Sequence, residues 1–319
     1  MTDAVDLAAE MLGERARRDD PLGPRTTYRV GGRAALLVEA TSVDDVRLVG
    51  ETAAATELPV VVVGKGSNVL VADDGFAGIA LLAGDGLDVI ELDGTSVRAG
   101  AGVSLPVLAR RTVAAGLTGL EWAVGVPGSV GGAVRMNAGG HGSDVAADIT
   151  SATVVDLRSG AVEEWGTDRL GLRYRHSALA PHHIVTGATF ALRRGDVERG
   201  EAELSEIVRW RREHQPGGQN SGSVFTNPPG DAAGRLIDAC GLKGHRIGTA
   251  EVSPKHANFF QADPDGRADD VLALVAEVQR RVEAETSIRL RPELRLIGYP
   301  EAVARSVCAA RADAVVVGS

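Results

Sequence analysis

Residues 60–68 read Val60-Val61-Val62-Val63-Gly64-Lys65-Gly66-Ser67-Asn68, so a run of valines passes directly into a loop with two glycines. Consecutive β-branched residues of this kind are typical of a strand that is buried on both faces. The residues at 69–71 and at 79–82 are again short apolar runs and predict two further strands. The stretch therefore indicates a sheet in which a glycine loop joins two strands.

The loop at 64–68 has the composition of a phosphate-binding turn, in which successive backbone N–H groups can surround a pyrophosphate. It is not a Rossmann fingerprint, because Val69 stands where the third glycine would be and a strand rather than a helix follows. It is not a Walker loop either, because Lys65 lies between the two glycines. A tight turn between two strands, without a ligand, is the alternative interpretation.

A second glycine-rich stretch reads Gly125-Val126-Pro127-Gly128-Ser129-Val130-Gly131-Gly132 and continues to Asn137-Ala138-Gly139-Gly140. Two such loops, each preceded by apolar residues, can converge on one long dinucleotide, or they can be unrelated turns. Gly100 and Gly102 form a third, weaker candidate. We interpret them as the turn before a helix at 105–115 that Ser104 caps.

The composition limits the classes of function. The chain has 319 residues, which predicts about two domains, and 44% of them are hydrophobic, enough for packed cores. A net charge of −9 repels phosphate backbones and anionic lipid, and aromatic residues at 3% offer little surface for stacking bases. We therefore expect no nucleic-acid partner, and an anionic ligand would need a local positive site.

Redox and targeting features are sparse. Cys240 and Cys308 are the two cysteines, too few for a disulfide framework or a structural zinc cluster, which favours a reducing compartment. Residues 1–20 carry mixed charge without a continuous apolar stretch, so we expect no signal peptide. No apolar run approaches ~18 residues, so we expect no membrane-spanning helix. These features predict a cytoplasmic protein.

The remaining patterns predict an α+β chain with a boundary near residues 213–222, where a polar, glycine-rich linker follows a helix. A capping box joins Ser42 to Asp45 at the start of a helix. Residues 1–20 are interpreted as a polar helix or a loose arm. The other predicted elements are a hairpin at 152–157 and 161–165, a strand at 184–192, helices at 201–212, 232–240 and 269–285, and a strand in which residues 288, 290, 294 and 296 alternate as the apolar face.

Three residues stand in contexts that could carry chemistry. Arg175 lies near a predicted strand start and Ser223 follows the linker, although each alone is compatible with a surface cation or a turn. Glu293 lies in the pattern Arg289-x-Arg291-x-Glu293-x-Arg295. Strand alternation puts these four on one face, which is either solvated or an anion-binding face that carries an acid. Burial would raise the pKa of Glu293 and the arginines would lower it, so the direction stays open.

Two classes of site are disfavoured. His182 and His183 have no cysteine or carboxylate partner at ligand spacing, so we expect no metal site. No Gly-x-Ser-x-Gly elbow occurs, which argues against a hydrolase triad.

Taken in order, several segments resemble the UDP-N-acetylenolpyruvoylglucosamine reductase family, the flavoenzymes that complete UDP-N-acetylmuramate in cell-wall synthesis. Each motif is short, but their joint order over about residues 22–298 is specific. The segments that carry the resemblance are Thr27-Tyr28-Arg29-Val30-Gly31-Gly32, residues 64–70, residues 125–132 with 137–139, Tyr174-Arg175-His176-Ser177, Gly222-Ser223-Val224-Phe225-Thr226-Asn227-Pro228, residues 234–238, residues 241–248, and Pro292-Glu293-Leu294-Arg295.

The resemblance implies an α+β fold in which two FAD-binding subdomains of the vanillyl-alcohol-oxidase type precede a C-terminal α/β substrate-binding domain. The implied units are residues 1–83, which 298–319 can rejoin, then 84–213 and 214–297. FAD would bind non-covalently between the subdomains. The implied activity is the NADPH-dependent reduction of UDP-N-acetylglucosamine enolpyruvate to UDP-N-acetylmuramate, by a monomer that binds only these small molecules.

The same resemblance assigns roles to individual residues and implies no metal. It places catalysis on Arg175, Ser223 and Glu293, with Ser223 as the proton donor. The implied FAD-binding residues are Gly64, Lys65, Gly66, Ser67, Asn68, Val69, Pro127, Gly128, Ser129, Gly131, Gly132, Asn137, Gly139 and Arg246. The implied substrate-binding residues are Tyr174, His214 and Asn227.

The chain departs from the family pattern in two places. It has no tyrosine between Arg175 and Ser223, where the longer form of the family carries one that clamps the substrate diphosphate, so it resembles the shorter form. Where the family often has a lysine, residues 211–216 read Arg-Arg-Glu-His-Gln-Pro, and His214 or a nearby arginine is expected to substitute. Another flavin-dependent oxidoreductase on the same fold, and a non-catalytic nucleotide-binding protein, stay open as alternatives.

Overall fold

A computed structural model describes residues 2–308 and 315–316 of the chain. The first group of elements comprises α1 (Thr2–Leu12), β1 (Ala16–Pro21), β2 (Arg33–Ala40), α2 (Val43–Thr56), β3 (Pro59–Val63), β4 (Val69–Val71) and β5 (Phe76–Ala83). The second comprises β6 (Ile90–Asp93), β7 (Ser96–Gly100), α3 (Leu105–Ala114), β8 (Leu117–Thr118), α4 (Val130–Met136), β9 (Gly139–Gly140), β10 (Ser143–Asp144), β11 (Ile149–Asp156), β12 (Val162–Gly166), α5 (Thr167–Leu170), β13 (His183–Ala191), β14 (Arg193–Arg194) and α6 (Val197–His214). The third comprises α7 (Ala233–Ala239), β15 (Arg246–Ile247), β16 (Ala250–Val252), β17 (Phe260–Ala262), α8 (Ala268–Thr286), β18 (Arg295–Ile297), α9 (Glu301–Cys308) and β19 (Val315–Val316).

The first sheet has the strand order β1-β2-β5-β3-β19, with a parallel centre formed by β2, β5 and β3 and antiparallel outer strands. The predicted capping box begins α2 and is confirmed. The hydroxyl of Ser42 accepts the N–H of Asp45, and the Asp45 carboxylate accepts the N–H of Ser42, each at 3.1 Å. Val46, Val49 and Ala53 of this helix are buried against the sheet. The valine run thus forms the strand that leads into the first glycine loop.

The second sheet is antiparallel throughout and has the order β12-β11-β13-β7-β6. The predicted hairpin is β11 and β12, and the predicted strand at 184–192 is β13. Helices α3, α4 and α6 share the buried cluster of this sheet, to which Trp122, Trp165 and Phe190 contribute the largest side chains. The sheet therefore supplies a second wall beside the first.

The third sheet, β15-β16-β17, is antiparallel and packs with α7 and α8 around one apolar cluster. Its elements return to the first group through β18, which pairs in parallel with β4 so that Arg295 lies opposite Val69. Tyr28 and Leu70 are buried in the same cluster. The third group is thereby fixed against the end of the first glycine loop.

Four sequence expectations need correction. Residues 16–21 form an edge strand, because charged side chains there gave no apolar periodicity. Ser104 precedes α3 without a side-chain cap and instead lies in a bridge with Ser129. Val62 is 42% exposed rather than buried on both faces, because one face of β3 borders a cleft. The strand predicted at 288–296 is reduced to β18, since residues 291–293 bond across to 224–226 as an isolated bridge.

The division into units 1–83, 84–213 and 214–297 stays a prediction. Residues 298–319, which were expected to rejoin the first unit, contact both the first unit and the third. Strand β19 pairs with β3, whereas Ala304 and Val307 of α9 are buried in the apolar cluster of the third sheet. Residues 309–314 and 317–319 of that segment lie outside the described residues. Among the helices described, none combines the length and the apolar character that crossing a bilayer requires.

Candidate active site

A cleft of about 330 Å³ lies where the three groups of elements meet, a volume typical of small-molecule sites. Both glycine loops line it, together with β3, the start of β13 and the segments around Ser223 and Glu293. Of the predicted FAD-binding residues, those that line the cleft are Gly64, Lys65, Gly66, Ser67, Asn68, Val69, Pro127, Gly128, Ser129, Gly131, Gly132 and Gly139. The structure therefore unites the two stretches that the sequence left as either convergent or unrelated.

The two glycine loops touch each other. A Cβ added at Gly64 would overlap the hydroxyl of Ser129, and one added at Gly128 would lie 3.1 Å from the hydroxyl of Ser67. Gly128 also has a φ of +143°, which side-chain-bearing residues rarely adopt. Glycine is thus required at the point where the loops approach. Gly100 and Gly102, in contrast, pack on the backbone of Leu87 and do not line the cleft.

The residues of the first loop fit a bound diphosphate. None of the backbone N–H groups at 64–68 donates a hydrogen bond to another described residue, although Gly66 is buried. Successive backbone donors without acceptors form a concave anion site. The exposed face of Val62 and the side chains of Leu82 and Ile184 offer apolar surface in the same cleft. This combination suits FAD, which has a charged diphosphate and an apolar ring system.

The cleft is locally positive in an acidic chain. Among its described lining residues Glu293 is the carboxylate, whereas Lys65, Arg135, Arg175, Arg211 and Arg295 are cations. The chain as a whole carries a net charge of −9. The local positive site that an anionic ligand requires is therefore present, and clefts of one sign attract ligands of the other.

Arg175 and Glu293 form the polar centre of the cleft. Nε of Arg175 lies 3.3 Å from Oε2 of Glu293, and Nη2 of Arg175 donates a 3.0 Å hydrogen bond to the carbonyl of Gly139. Arg175 has a φ of +52° in a tight turn closed by paired backbone hydrogen bonds between Arg173 and His176. A left-handed conformation in a residue with a side chain costs free energy and is common at functional sites. The turn directs the guanidinium toward the acid.

Glu293 is held from both sides by backbone contacts. Its N–H donates to the carbonyl of Val224 at 2.8 Å, and its carbonyl accepts from the side-chain amide of Asn68 at 3.0 Å. Burial raises the pKa of Glu293, and Arg175 lowers it by a smaller amount. The direction of the pKa shift that the sequence left open is therefore upward.

Ser223 lines the same cleft, next to Gly222 and Ser221. Its backbone forms an isolated bridge with Phe259, and its side chain is exposed to the cleft. The hydroxyl makes no hydrogen bond to any described residue. It is thus available to a ligand. The structure brings Arg175, Ser223 and Glu293 together in one cleft.

Five predicted site residues do not line this cleft, and their binding roles stay predictions. The side chains of four are engaged elsewhere, and the fifth is 62% exposed. Asn137 forms hydrogen bonds with Ala146 and Asp144, and Arg246 forms ion pairs with Glu251 and Asp263. The side chain of Asn227 accepts the N–H of Ala233, and His214 stacks on Trp210. Tyr174 is the exposed residue. Short-range motifs locate a segment but not the direction of each side chain.

Several polar residues of the cleft were not predicted from the sequence. Arg135, Thr186, Gln215 and Ser221 received no role, and Arg295 was noted only within two motifs. Arg289 and Arg291 of that pattern do not line the cleft, and Arg289 bonds to Glu283 instead. One signal could have found Arg135: a cation in an otherwise apolar short helix directly after the second glycine loop.

His182 and His183 do have a carboxylate neighbour, which corrects the earlier expectation. Pairing of β11 with β13 places Asp156 opposite His183, and their side chains approach to 3.9 Å. Nδ1 of His183 accepts the N–H of Ala180 at 3.0 Å, so the proton of the neutral ring lies on Nε2. That nitrogen then has no lone pair for a metal ion. Burial lowers the pKa of both histidines, in keeping with neutral rings.

Fold and cleft together define an FAD-binding oxidoreductase, and residues 34–166 match a family model described as an FAD binding domain. Residues 214–297 match a second model, the C-terminal domain of UDP-N-acetylenolpyruvoylglucosamine reductase. The chain belongs to the UDP-N-acetylenolpyruvoylglucosamine reductase family. The predicted family and the predicted α+β, two-subdomain FAD-binding fold with a C-terminal domain are thereby confirmed.

Individual relatives agree over nearly their whole length. The reductase of Rubrobacter xylanophilus is 40% identical, over 92% of this chain and 99% of the relative. That of Synechococcus sp. strain RCC307 is 43% identical, over 88% of this chain and 94% of the relative. The crystal structure of UDP-N-acetylenolpyruvylglucosamine reductase from Thermus caldophilus superimposes with a TM-score of 0.77 at 38% identity, covering 89% of this chain and 99% of that one.

Proposed function

We propose that the chain reduces UDP-N-acetylglucosamine enolpyruvate to UDP-N-acetylmuramate with NADPH, as a step in peptidoglycan synthesis. The observation that carries this proposal is the contact between Arg175 and Glu293, beside the free hydroxyl of Ser223, in a cleft lined by two glycine loops. An anionic enol ether needs a cation, an acid and a proton donor around its reacting carbons. All three groups are present.

The N–H groups of residues 64–68 would hold the diphosphate of FAD, and the second glycine loop would line the flavin. The chemistry that FAD supplies when bound is the transfer of a hydride from NADPH to the terminal vinyl carbon of the substrate. The protein contributes orientation, charge and a proton. Its own residues decide which substrate is reduced and where the proton is delivered.

Arg175 would stabilise the negative charge that develops on the carbon next to the enol oxygen and on the substrate carboxylate. A fixed cation in a partly buried cleft lowers the barrier because it needs no reorganisation as the charge appears. The hydrogen bond to the carbonyl of Gly139 fixes its guanidinium. Glu293, whose pKa burial raises, can in its protonated form donate a hydrogen bond to the same carboxylate.

Ser223 would deliver the proton to the carbanion-like carbon. Its hydroxyl is exposed to the cleft, and no residue that the structure describes competes for its proton. An alcohol is a weak acid, so this role requires a strongly basic enol or a relay that resupplies the proton. The protonation completes the reduction of the carbon–carbon double bond.

Anaerobic stopped-flow spectroscopy tests the proposal. NADPH should bleach the flavin absorbance of the FAD-loaded protein, and the enolpyruvyl sugar nucleotide should restore it. Faster restoration by oxygen than by that substrate would support another flavin-dependent oxidoreductase. A colourless protein that FAD cannot reconstitute would support a non-catalytic nucleotide-binding protein.

We infer that the protein works in the cytoplasm, because its proposed substrates, NADPH and a nucleotide sugar, are cytoplasmic metabolites, and the monomeric state stays a prediction. Size-exclusion chromatography with light scattering tests the oligomeric state. A mass near 33.1 kDa is expected for the monomer. A mass near twice that value would contradict it.

A further inference from the structure

Arg211 is a cation of the cleft wall. It lies in the last turn of α6, and its Nε donates a 2.8 Å hydrogen bond to Oε1 of Gln215. Both side chains belong to cleft-lining residues. Within the described residues no carboxylate pairs with Arg211, and burial lowers its pKa. A half-buried guanidinium with only an amide partner is costly unless a ligand supplies the missing anion.

The position of Arg211 at the end of a helix does not by itself explain it. Cations near a helix C-terminus are favoured by the helix dipole, and α6 has Arg212 and His214 in the same turn. Those two side chains are exposed and outside the cleft, whereas Arg211 lines it. His214 stacks on the indole of Trp210 with ring centroids 4.8 Å apart. The residue that faces the cleft is therefore Arg211 and not His214.

A series of contacts places Arg211 on the same wall as Arg175. Burial and, after it, the nearby charge of Arg211 lower the pKa of His141, whose ring lies against Gly125 of the second glycine loop. Gly140 packs on Val126 of that loop, and its neighbour Gly139 binds the guanidinium of Arg175. The unpaired N–H groups of residues 64–68 belong to the other glycine loop. Arg211 is thus connected through His141 to the second glycine loop, and Gly139 at the end of that stretch binds Arg175.

We propose that Arg211, braced by Gln215, binds the diphosphate of the nucleotide that enters the substrate half of the cleft. A planar guanidinium offers two parallel N–H donors, which match phosphate oxygens. The UDP-sugar and NADPH both carry a diphosphate, so the chemistry is shared between them. The inference rests on the proposed function, and it assigns to Arg211 the anion contact for which the chain has no tyrosine between Arg175 and Ser223.

Calorimetric titration of the FAD-loaded protein with UDP, uridine and NADP⁺ tests the proposal. Arg211→Gln should weaken binding of a diphosphate ligand by about 10- to 100-fold, the range of a lost charge-assisted hydrogen bond, and leave uridine unchanged. Arg212→Gln is the matched control, because it removes an exposed cation one position away. Arg211→Lys keeps the positive charge but lacks the two parallel N–H donors of a guanidinium, so it should recover part of the affinity for the diphosphate ligand. Gln215→Ala should give a smaller loss than Arg211→Gln.

Each outcome decides the proposal. A loss for UDP alone, for NADP⁺ alone or for both supports it and identifies the nucleotide. Unchanged affinity for both nucleotides, an equal loss for uridine, or loss of bound FAD in Arg211→Gln overturns it. If Arg211→Gln does not fold, unchanged UDP and NADP⁺ affinities in both Arg211→Lys and Gln215→Ala also overturn it. A wild-type protein that binds UDP but never turns over the enolpyruvyl substrate would refute the proposed function without affecting this comparison.

Discussion

The side-chain amide of Asn68 donates a 3.0 Å hydrogen bond to the backbone carbonyl of Glu293, and the N–H of Arg295 donates one of 3.0 Å to the carbonyl of Asn68. The end of the first glycine loop is thereby tied to the residue that carries the buried acid. Strands β4 and β18 continue this pairing in parallel. The pairing therefore fixes the position of the first glycine loop relative to Glu293. Displacing either segment should move the other.

Replacing Asn68 with alanine should weaken that connection. Loss of one partly buried hydrogen bond should lower the free energy of unfolding by about 1 kcal/mol. The reoxidation of reduced flavin by the enolpyruvyl substrate should slow, because Glu293 loses one of its two backbone anchors, while reduction by NADPH should persist. Urea unfolding and stopped-flow spectroscopy measure the two effects. Gln261→Ala, which removes an exposed side-chain hydrogen bond to the carbonyl of Gly217 outside the cleft, is the control and should leave reoxidation of the flavin unchanged.

Ser223→Ala should separate the two half-reactions. We expect bound FAD and its reduction by NADPH to remain, and turnover of the enolpyruvyl substrate to fall by about 10²- to 10⁴-fold, the usual range for a lost general acid. Ser221→Ala, two residues earlier and also lining the cleft, should retain turnover. Equal loss of both half-reactions in Ser223→Ala would contradict a role in proton donation.

The buried carboxyl of Glu293 should make stability depend on pH. Its pKa is raised, so between the ordinary value of about 4.3 and the raised value the folded protein binds more protons than the unfolded chain. Stability contributed by this group is therefore lost as the pH rises through that interval. Glu293→Gln removes the ionisation, so its stability relative to wild type should increase as the pH rises from about 4 through the raised pKa of Glu293. Urea unfolding at several pH values measures this difference.

Glu163→Gln provides a control of opposite sign. Arg169 lowers the pKa of Glu163, so the wild-type residue stabilises the fold above its ordinary pKa and loses that effect as the pH falls. The relative stability of Glu163→Gln should accordingly decrease, not increase, as the pH rises. If the relative stability of both variants changed with pH in the same direction, the burial of Glu293 would not be the cause of the change in Glu293→Gln.

Gly64→Ala should weaken FAD binding through Ser129. The added Cβ would overlap the Ser129 hydroxyl, which accepts the N–H of Gly132 at the start of α4. We expect a loss of FAD affinity of about tenfold, as for other steric changes at tightly packed sites, measured by flavin fluorescence quenching. In a Ser129→Ala background the overlapping hydroxyl is absent, so Gly64→Ala should then lower the affinity for FAD only slightly. An equal cost in both backgrounds would contradict direct contact between the loops.

Much of the fold could be predicted because its signals are local. The valine run became β3, the Ser42–Asp45 box began α2, and the apolar spacing at 269–285 became α8 within one residue at each end. Strand β1 was missed because Arg17, Arg18 and Asp20 lie on an exposed edge and produce no apolar alternation. Residues 288–294 were misjudged for the opposite reason, because apolar residues alternate there although the segment bonds to residues 224–226 only through an isolated bridge.

The sequence by itself determined the two glycine loops, the need for a positive site in an acidic chain, and the segments that contain Arg175, Ser223 and Glu293, because composition and short motifs act over a few residues. Only the tertiary structure decided that the loops meet at Gly64 and Ser129, that Arg211 rather than His214 lines the cleft, that Asp156 lies opposite His183, and that the pKa of Glu293 is raised. Each of these depends on burial and on contacts between distant segments, and neither quantity exists until the sheets have packed against one another.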